Sequence, residues 1–342
     1  MNTLVRVIAG ALTMAFLVAA APLPRSVCEP ATYPSSPLRG SYATFDRREG
    51  CPYYDYGLAV GLALQPIFTR EILTPAGCRL SVATIRDDRV VNLAVAPSGI
   101  KGSRVAEAAD GSFWIVTGEP EDAAYYHLTS DGRLMTQPVF HNGDYAAEVF
   151  ADSMGHVFGS ELMNSQGPDS TIIVSFDSMK SLSVRSRGAG FVRGADGKLY
   201  LNLTSPKDSS LFELRPDGSR LLESKVFAEQ YAVDSNGNIW RPQSTGLIKT
   251  DRIGRVLQTV RGIIPLPCTI SNTAVLEPRY LVAQSDGSLW FLLSRKLWRL
   301  QADGTLGFAD LPSDDLVYSV VGGQPGTIWL AIGDRGALYR YR

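Results

Sequence analysis

The sequence of 342 residues is long enough for one large domain or two of ordinary size. Hydrophobic residues make up 45% of it, which suits a protein with a packed core, and charged residues make up 20%. The formal net charge of −1 gives no electrostatic reason to expect binding to nucleic acid or to an anionic membrane surface.

The N-terminal residues have the three parts of a secretory signal peptide. A short region with Arg6 precedes an apolar run, and Val18 and Ala20 form a small-residue cleavage pattern before Pro22. The alternative is an uncleaved helical anchor, because the apolar run approaches the ~20 residues that a membrane span needs. We predict a signal peptide over residues 1–20, no membrane association after cleavage, and a secreted or periplasmic protein.

All four cysteines lie beyond this cleavage site, where an exported chain meets an oxidising compartment. Disulfides are favoured over a zinc site, because the chain has no Cys-x-x-Cys spacing and no histidine near any cysteine. Four cysteines allow three connectivities, and the sequence does not decide between them. The pairing that we expect joins Cys28 to Cys51 in the N-terminal segment and Cys78 to Cys268.

A motif of a turn glycine, one spacer, an apolar residue and an aromatic residue recurs six times after residue 100. Asp-Gly beside an alternating strand predicts a hairpin, because glycine adopts positive φ without penalty. Four of the five tryptophans fall in this motif, which predicts packing between repeated units. The copies are ADGSFW (109–114), SMGHVF (153–158), ADGKLY (195–200), SNGNIW (235–240), SDGSLW (285–290) and QPGTIW (324–329).

A second motif, with a turn between two alternating strands, follows each copy of the first. A unit of about 40–45 residues with four short strands has the period of a β-propeller blade. One such sheet cannot bury both faces, whereas a ring of sheets can. The copies are YYHLTSDGRL (125–134), IIVSFDSMKSL (172–182), LFELRPDGSRL (211–221), LIKTDRIGRV (247–256), KLWRLQADGTL (296–306) and the shortened ALYRYR (337–342).

The repeats set the expected number of blades. Six units are clear, and residues 55–96 resemble a degenerate seventh unit. The last unit stops after its third strand, so RGSYATF (39–45) is expected to supply the outer strand and close the ring. We predict an all-β propeller of seven four-stranded blades over residues 55–342, with six as the alternative. An N-terminal strap over residues 21–54 precedes it.

These repeats resemble those of the streptogramin (virginiamycin B) lyase-like propellers, and more loosely those of NHL propellers. The resemblance rests on DGSFW, NGNIW, DGSLW and PGTIW and covers residues from about 100 to 342. The lyase family opens a cyclic depsipeptide antibiotic by elimination, and the resemblance implies a histidine base late in the chain, with glutamate and histidine near magnesium. This sequence departs from that pattern, because its three histidines are His127, His141 and His156.

The densest group of polar residues lies between positions 141 and 161. Its candidate binding residues are His141, Glu148 and His156, which together could hold a divalent cation or act as acid and base at one mouth of the channel. A structural role competes with this hypothesis, because His156 belongs to a repeat turn. Glu148 falls on or just before the innermost strand of its blade, so it alone is expected to face the channel.

The sequence therefore favours a binding module over an enzyme, since it contains no readable catalytic or metal-binding set. We expect a monomer without a cofactor that holds a peptide, glycan or protein on one propeller face. The alternative is a lyase-like enzyme with a metal at the channel mouth, which requires Glu148 to converge with His141 or His156. A structural or signalling module is a third class and predicts a broad exposed apolar patch.

Overall fold

The structure is a computed structural model, and the regular elements that it describes are β-strands in seven sheets. No helix in the described part of the chain has the length and apolarity to cross a membrane. The predicted signal peptide, Cys28, His141 and Cys268 lie outside the described residues. The described residues are 35–37, 43–45, 51, 57–97, 100, 104–116, 124–138, 145–162, 170–185, 188–204, 209–225, 230–243, 246–263, 278–293, 295–312, 317–332 and 337–342.

Seven consecutive blades form a β-propeller, and their strands pair antiparallel in chain order. Two N-terminal strands precede the blades: β1 (Ser35–Pro37) and β2 (Ala43–Phe45). Blade 1 contains β3 (Leu58–Val60), β4 (Pro66–Thr74), β5 (Gly77–Arg86) and β6 (Arg89–Val95). Blade 2 contains β7 (Arg104–Glu107), β8 (Phe113–Val116), β9 (Ala124–Leu128) and β10 (Leu134–Pro138). Blade 3 contains β11 (Tyr145–Ala151), β12 (Val157–Leu162), β13 (Ser170–Ser175) and β14 (Lys180–Arg185).

Blades 4 to 7 continue the same order to the C-terminal end. Blade 4 contains β15 (Gly188–Arg193), β16 (Leu199–Thr204), β17 (Ser209–Leu214) and β18 (Arg220–Lys225), and blade 5 contains β19 (Ala232–Val233), β20 (Ile239–Gln243), β21 (Gly246–Thr250) and β22 (Val256–Arg261). Blade 6 contains β23 (Arg279–Ala283), β24 (Leu289–Leu293), β25 (Lys296–Leu300) and β26 (Leu306–Asp310). Blade 7 contains β27 (Val317–Gly322), β28 (Ile328–Ile332) and β29 (Ala337–Tyr341). The first strands of neighbouring blades contact one another around the channel, as β27 does with β3.

The N-terminal segment closes the ring. Strand β2 pairs antiparallel with β29 and becomes the outermost strand of blade 7, which confirms the role predicted for RGSYATF. The prediction of seven blades is also confirmed. Strand β1 was not predicted: it lies parallel to β26 as a fifth strand of blade 6. Its residues, Ser-Ser-Pro, have no apolar alternation that would indicate a strand.

The repeated aromatic residues lie on the second strand of each blade and pack against the next blade. Trp290 of β24 is fully buried and packs in one cluster with Ile328 and Leu330 of β28. Trp329 of β28 packs in the same way with Phe68 and Ala83 of blade 1, across the ring closure. The packing role predicted for these tryptophans is confirmed, and the core of the molecule is a series of such inter-blade clusters.

Blades 1 to 6 each present two turns on one face of the ring, and blade 7 presents one, because its fourth strand is β2 from the N-terminal segment. We call this the turn face; it carries the inner turns, between first and second strands, and the outer turns, between third and fourth strands. The opposite face, with the remaining connections, is the loop face. Six blade junctions carry a hydrogen bond on the turn face: Leu62 N to Glu107 Oε2 (2.8 Å), Ala109 N to Gly155 O (3.2 Å), Ser153 N to Gly197 O (2.8 Å), Ala195 N to Val233 O (2.8 Å), Gly326 N to Gln284 Oε1 (2.9 Å) and Gln324 Nε2 to Ala63 O (3.3 Å).

Gly155 shows why the inner turns repeat a glycine. Its φ of 83° lies in the left-handed region, which side chains disfavour. A Cβ at this position would also overlap the backbone of Ala109 in the preceding blade. The glycine thus serves both the turn and the approach of two blades.

The expected disulfide pairing is wrong, because Cys51 is bonded to Cys78. Cys78 lies at the start of β5, beside the hairpin that joins β4 to β5 on the loop face. Cys51 belongs to the segment that leads from β2 to β3, and the two Cα atoms are 6.0 Å apart. The bond therefore fastens the ring-closing segment to blade 1, a proximity that depends on the closed ring and not on sequence spacing.

Candidate functional site

Glu148 lies on β11, the innermost strand of blade 3, as the sequence predicts. The pairing of β11 with β12 shifts between Ala146 and Glu148, so a β-bulge immediately precedes this residue. Bulges are frequent beside functional sites because they redirect a side chain. Glu148 keeps some contact with solvent but is largely surrounded by protein, and burial raises the pKa of its carboxyl group. The guanidinium of Arg104 on β7 opposes this shift.

The cleft between blades 2 and 3, next to β11, is tightly packed. The hydroxyl of Tyr125 donates to the carbonyl oxygen of Ser160, the cross-strand partner of Glu148, at 2.9 Å. A Cβ on Gly159 would lie 2.7 Å from the Tyr125 hydroxyl oxygen, so only glycine leaves room for this ring. Glu161 is fully buried next to it, and burial raises the pKa of Tyr125. Sequence reasoning did not identify the contact of Tyr125 with blade 3 or the burial of Glu161.

Arg193 crosses the channel near the turn face. It ends β15 in blade 4, and its Nη1 donates to the carbonyl oxygens of Val60 (3.3 Å) and Gly61 (3.4 Å) in blade 1. Burial lowers the pKa of the guanidinium, while the carboxylates of Asp152 and Glu107 oppose that shift. Arginine stays charged in proteins, so this side chain forms a cationic bridge across the channel.

His156 lies on the turn face, in the inner turn of blade 3. Its Nδ1 is 2.7 Å from Oδ2 of Asp152, and the same carboxylate accepts the His156 backbone N–H. Glu148 pairs with Ser160, four residues farther along β12, which separates it from His156 by about 13 Å at ~3.3 Å per residue. The structure therefore does not bring Glu148 and His156 together, and His156 performs the turn role that competes with the binding hypothesis.

The other carboxylates of the turn motifs are occupied in the same way. Asp234 pairs with Lys249 (2.6 Å) and Asp286 with Arg299 (3.0 Å), each within its own blade. These cations also lie over the repeated tryptophans, as Arg299 does over Trp290 with 5.0 Å to the ring centroid. These turn aspartates thus stabilise the blades, and among the described residues no aspartate belongs to a group of three potential metal ligands.

The described residues do not fit the metal site that the lyase resemblance implies. Among them, the one group of three potential ligands with suitable spacing is Cys51, Glu71 and Cys78. Its two sulfur atoms are joined in the disulfide, and thiolates are the form of cysteine that binds metal. The chain also contains no histidine after His156. We derive no metal-dependent step from this site.

A cavity of about 550 Å³ opens on the turn face between blades 7 and 1, and we call it the seam cavity. Arg340 of β29 donates to Asp88 in the outer turn of blade 1 at 2.5 Å, across this junction. That bond lowers the pKa of Asp88, and Arg342 lowers it further. The lining residues are Leu64, Gln65, Pro66, Ile85, Arg86, Asp87, Asp88, Gln324, Thr327, Trp329, Arg340 and Arg342.

Sequence reasoning missed the seam cavity, although one signal was present. Blade 7 has Pro325 where blade 6 has Asp286 in the same motif. Without a turn carboxylate of its own, blade 7 directs Arg340 to the neighbouring blade.

One exposed apolar group lies at the outer edge of blade 5. Ile253 in the outer turn is 87% exposed, and Val256 and Leu257 follow it at the start of β22. Three side chains on one edge do not form the broad patch expected of a structural module.

No family model and no curated protein sequence matches the chain. Solved structures match its fold. A streptogramin B lyase shares 13% identity, with a TM-score of 0.60 over 90% of this chain and 99% of that one. A catalytically inactive virginiamycin B lyase from Staphylococcus aureus, solved with quinupristin, shares 12% identity, with a TM-score of 0.55 over 88% and 99%. The WD40 propeller domain of Doa1 shares 12%, with a TM-score of 0.52 over 88% and 97%.

These identities are too low to carry over an activity, and the matched proteins differ in function. The comparisons show a seven-bladed propeller like that of the lyases.

Proposed function

We propose that the chain is an exported binding propeller, which holds a peptide, glycan or protein ligand at the end of the channel on the loop face. The observation that carries the proposal is the contrast between the two faces. Arg193 bridges the channel near the turn face, and hydrogen bonds link the inner turns there. A ligand that uses the channel therefore enters from the loop face and meets Glu148.

Glu148 supports this choice of site. It lies on the innermost strand of its blade, directly after a bulge, and burial disfavours its charge. A group held at such a cost is a candidate for ligand contact, because perturbed acids concentrate at functional sites. Loops from several blades would surround the same opening, so one ligand would contact several repeats.

The test is a thermal-shift screen of the chain without residues 1–20 against Mg²⁺, Ca²⁺, glycans and cyclic peptides. The affinity of each stabilising compound is then measured for Glu148→Gln and for Asp131→Asn, an exposed outer-turn control on the opposite face. We expect Glu148→Gln to weaken binding about tenfold, the cost of one hydrogen bond to a charged group, and Asp131→Asn to leave it unchanged. Equal affinity for all three proteins would place the ligand elsewhere and contradict the proposal.

The lyase alternative has its own assay. Quinupristin is present in the structure of the inactive Staphylococcus aureus lyase, and it is the compound to incubate with this chain. Elimination leaves the mass of the molecule unchanged, so ring opening is followed by chromatographic retention. Ring opening that requires the protein would show lyase activity and contradict the proposal that the chain only binds its ligand.

A further inference from the structure

The seam cavity exists because the closure between blades 7 and 1 departs from the other junctions. In blade 6, Arg299 pairs with Asp286 in its own inner turn, and the turn glycine of the next blade, Gly326, approaches the same guanidinium. In blade 7, the corresponding Arg340 pairs instead with Asp88 of the next blade. The inner turn of blade 1 lacks the Asp-Gly motif and holds Leu64 at a φ of 55°. These differences leave a cleft at this junction.

The charges around the seam cavity are unequal. Its lining contains the side chains of three arginines, Arg86, Arg340 and Arg342, and of two aspartates, Asp87 and Asp88. One carboxylate, Asp88, is engaged by Arg340. Arg86 is exposed and forms no ion pair with another residue in the described ranges. The side chains of the lining therefore carry more positive than negative charge, and Asp87 is the carboxylate that Arg340 does not engage.

The remaining lining suits an apolar body with polar edges. Trp329, Ile85 and Pro66 are apolar and buried, and they form the deep part of the lining. Gln65 and Gln324 add amide groups at the rim. A volume of about 550 Å³ lies within the ~300–1,000 Å³ range of small-molecule sites, which also combine apolar walls with a few polar groups.

We propose that the seam cavity binds a small molecule that joins a carboxylate or phosphate to an aromatic or other apolar body. Arg86 holds the anion in a charge-assisted hydrogen bond, because its guanidinium is exposed, has no ion-pair partner among the described residues, and offers paired donors that both anions accept. Trp329 and Ile85 contact the body. This site lies on the turn face and is independent of the ligand proposed for the loop face.

The experiment uses the mature chain with ¹⁵N-labelled tryptophan, whose five indole signals report on separate places. Phenylacetate and phenyl phosphate are the anionic probes, and benzyl alcohol is the neutral one. The Trp329 signal is assigned with Trp329→Phe. We expect at least one anion to shift that signal, with benzyl alcohol binding about tenfold more weakly. Comparing the two anions distinguishes a carboxylate from a phosphate ligand.

The control variants come from one hairpin. Arg86 and Arg89 are paired across the outer turn of blade 1, both are exposed, and only Arg86 lines the cavity. We expect Arg86→Gln to raise the Kd about tenfold and Arg89→Gln to change it less than about twofold. Asp87→Asn is expected to lower the Kd, because it removes the opposing charge.

Three results would overturn the proposal: no shift with either anion, an equal shift with benzyl alcohol, or equal weakening by Arg86→Gln and Arg89→Gln. Thermal unfolding of each variant is measured alongside. A loss of binding by Arg86→Gln counts only if its midpoint stays at the wild-type value. If the midpoint of Arg86→Gln falls, Asp87→Asn is the deciding variant, because it is expected to bind the anion more tightly than wild type. A Kd of Asp87→Asn equal to that of wild type would then refute the site.

Discussion

The guanidinium of Arg193 in blade 4 donates to the carbonyl oxygen of Val60 in blade 1, on the other side of the channel, at 3.3 Å. This bond joins two blades that share no edge and are far apart in the chain. It binds the ring across its diameter, where the other inter-blade bonds bind it along its circumference.

Replacement of Arg193 by methionine keeps an unbranched apolar stem and removes the donors. We expect Arg193→Met to lower the free energy of unfolding by about 1.5–3 kcal/mol, the range for hydrogen bonds to charged groups. Urea unfolding measures this change. Arg133→Met, at an exposed outer turn, is the control and is expected to stay within about 0.5 kcal/mol of wild type. Equal stability of both variants would mean that the bridge does not hold the ring.

Glu148→Gln tests how much stability the buried carboxylate on the innermost strand of blade 3 costs when it is charged. Burial raises its pKa above the ordinary value of 4.5, so the folded chain holds this proton more tightly than the unfolded chain. That contribution is present below pH 4.5 and is lost as the pH rises through the folded-state pKa. We therefore expect Glu148→Gln to be more stable than wild type at pH 8, with little difference at pH 4.

Glu107→Gln is the matched control for this comparison. Its carboxylate accepts the backbone N–H of Leu62 at 2.8 Å. Glutamine can accept the same bond but without the charge, so the free energy of unfolding is expected to fall by about 1 kcal/mol at pH 8. A destabilised Glu148→Gln at pH 8 would show that the charge of Glu148 is fully compensated.

Two strand glycines provide a test of the cleft beside the channel. Alanine at Gly159 would place a Cβ 2.7 Å from the Tyr125 hydroxyl oxygen, whereas a Cβ at Gly190 meets nothing within 4 Å. Overpacking of this kind costs about 1–3 kcal/mol. We expect that loss for Gly159→Ala and none for Gly190→Ala, measured by thermal unfolding. A loss of equal size in both would point to backbone effects and not to the tyrosine.

The disulfide between Cys51 and Cys78 is expected to stabilise the ring closure. A loop with a sequence separation of 27 residues corresponds to about 3.5 kcal/mol in the chain-entropy model. We expect Cys51→Ser and Cys78→Ser to lose similar stability, and the double variant to lose no more than either alone. Peptide mapping without reductant should recover these two cysteines in one linked fragment; finding Cys51 joined to Cys28 would contradict the structure.

The sequence predicted the repeat-bearing parts of the fold because the same physical demand recurs in every blade. A turn that needs a positive φ and an aromatic residue that fills an inter-blade cleft recur at the same spacing in six copies of the motif. Gly155 and Trp290 are examples. The closing strand β2 was predictable because the last repeat in the sequence lacks a fourth strand of its own. The contact between Cys51 and Cys78 was not, because it follows from ring closure and not from a local pattern.

The site was less predictable for the same reason. Glu148 could be placed on an innermost strand from the repeat spacing, and the structure confirms that position. Arg193 ends a strand with no motif of its own, and its partner lies in another repeat. Contacts across the channel bring together residues from different units, and periodicity carries no information about them.

The pairing of β2 with β29 has a consequence for the assembly of the molecule in time. Strand β2 precedes the first blade in the chain, and its partner β29 follows the other strands of all seven blades. Strand β2 must therefore remain without its partner until β29 has been synthesised. Contacts of such long sequence separation form slowly. A chain interrupted before residue 337 would keep six complete blades and an unpaired edge, open to other chains, so the synthesis of β29 is the step that allows the ring to close.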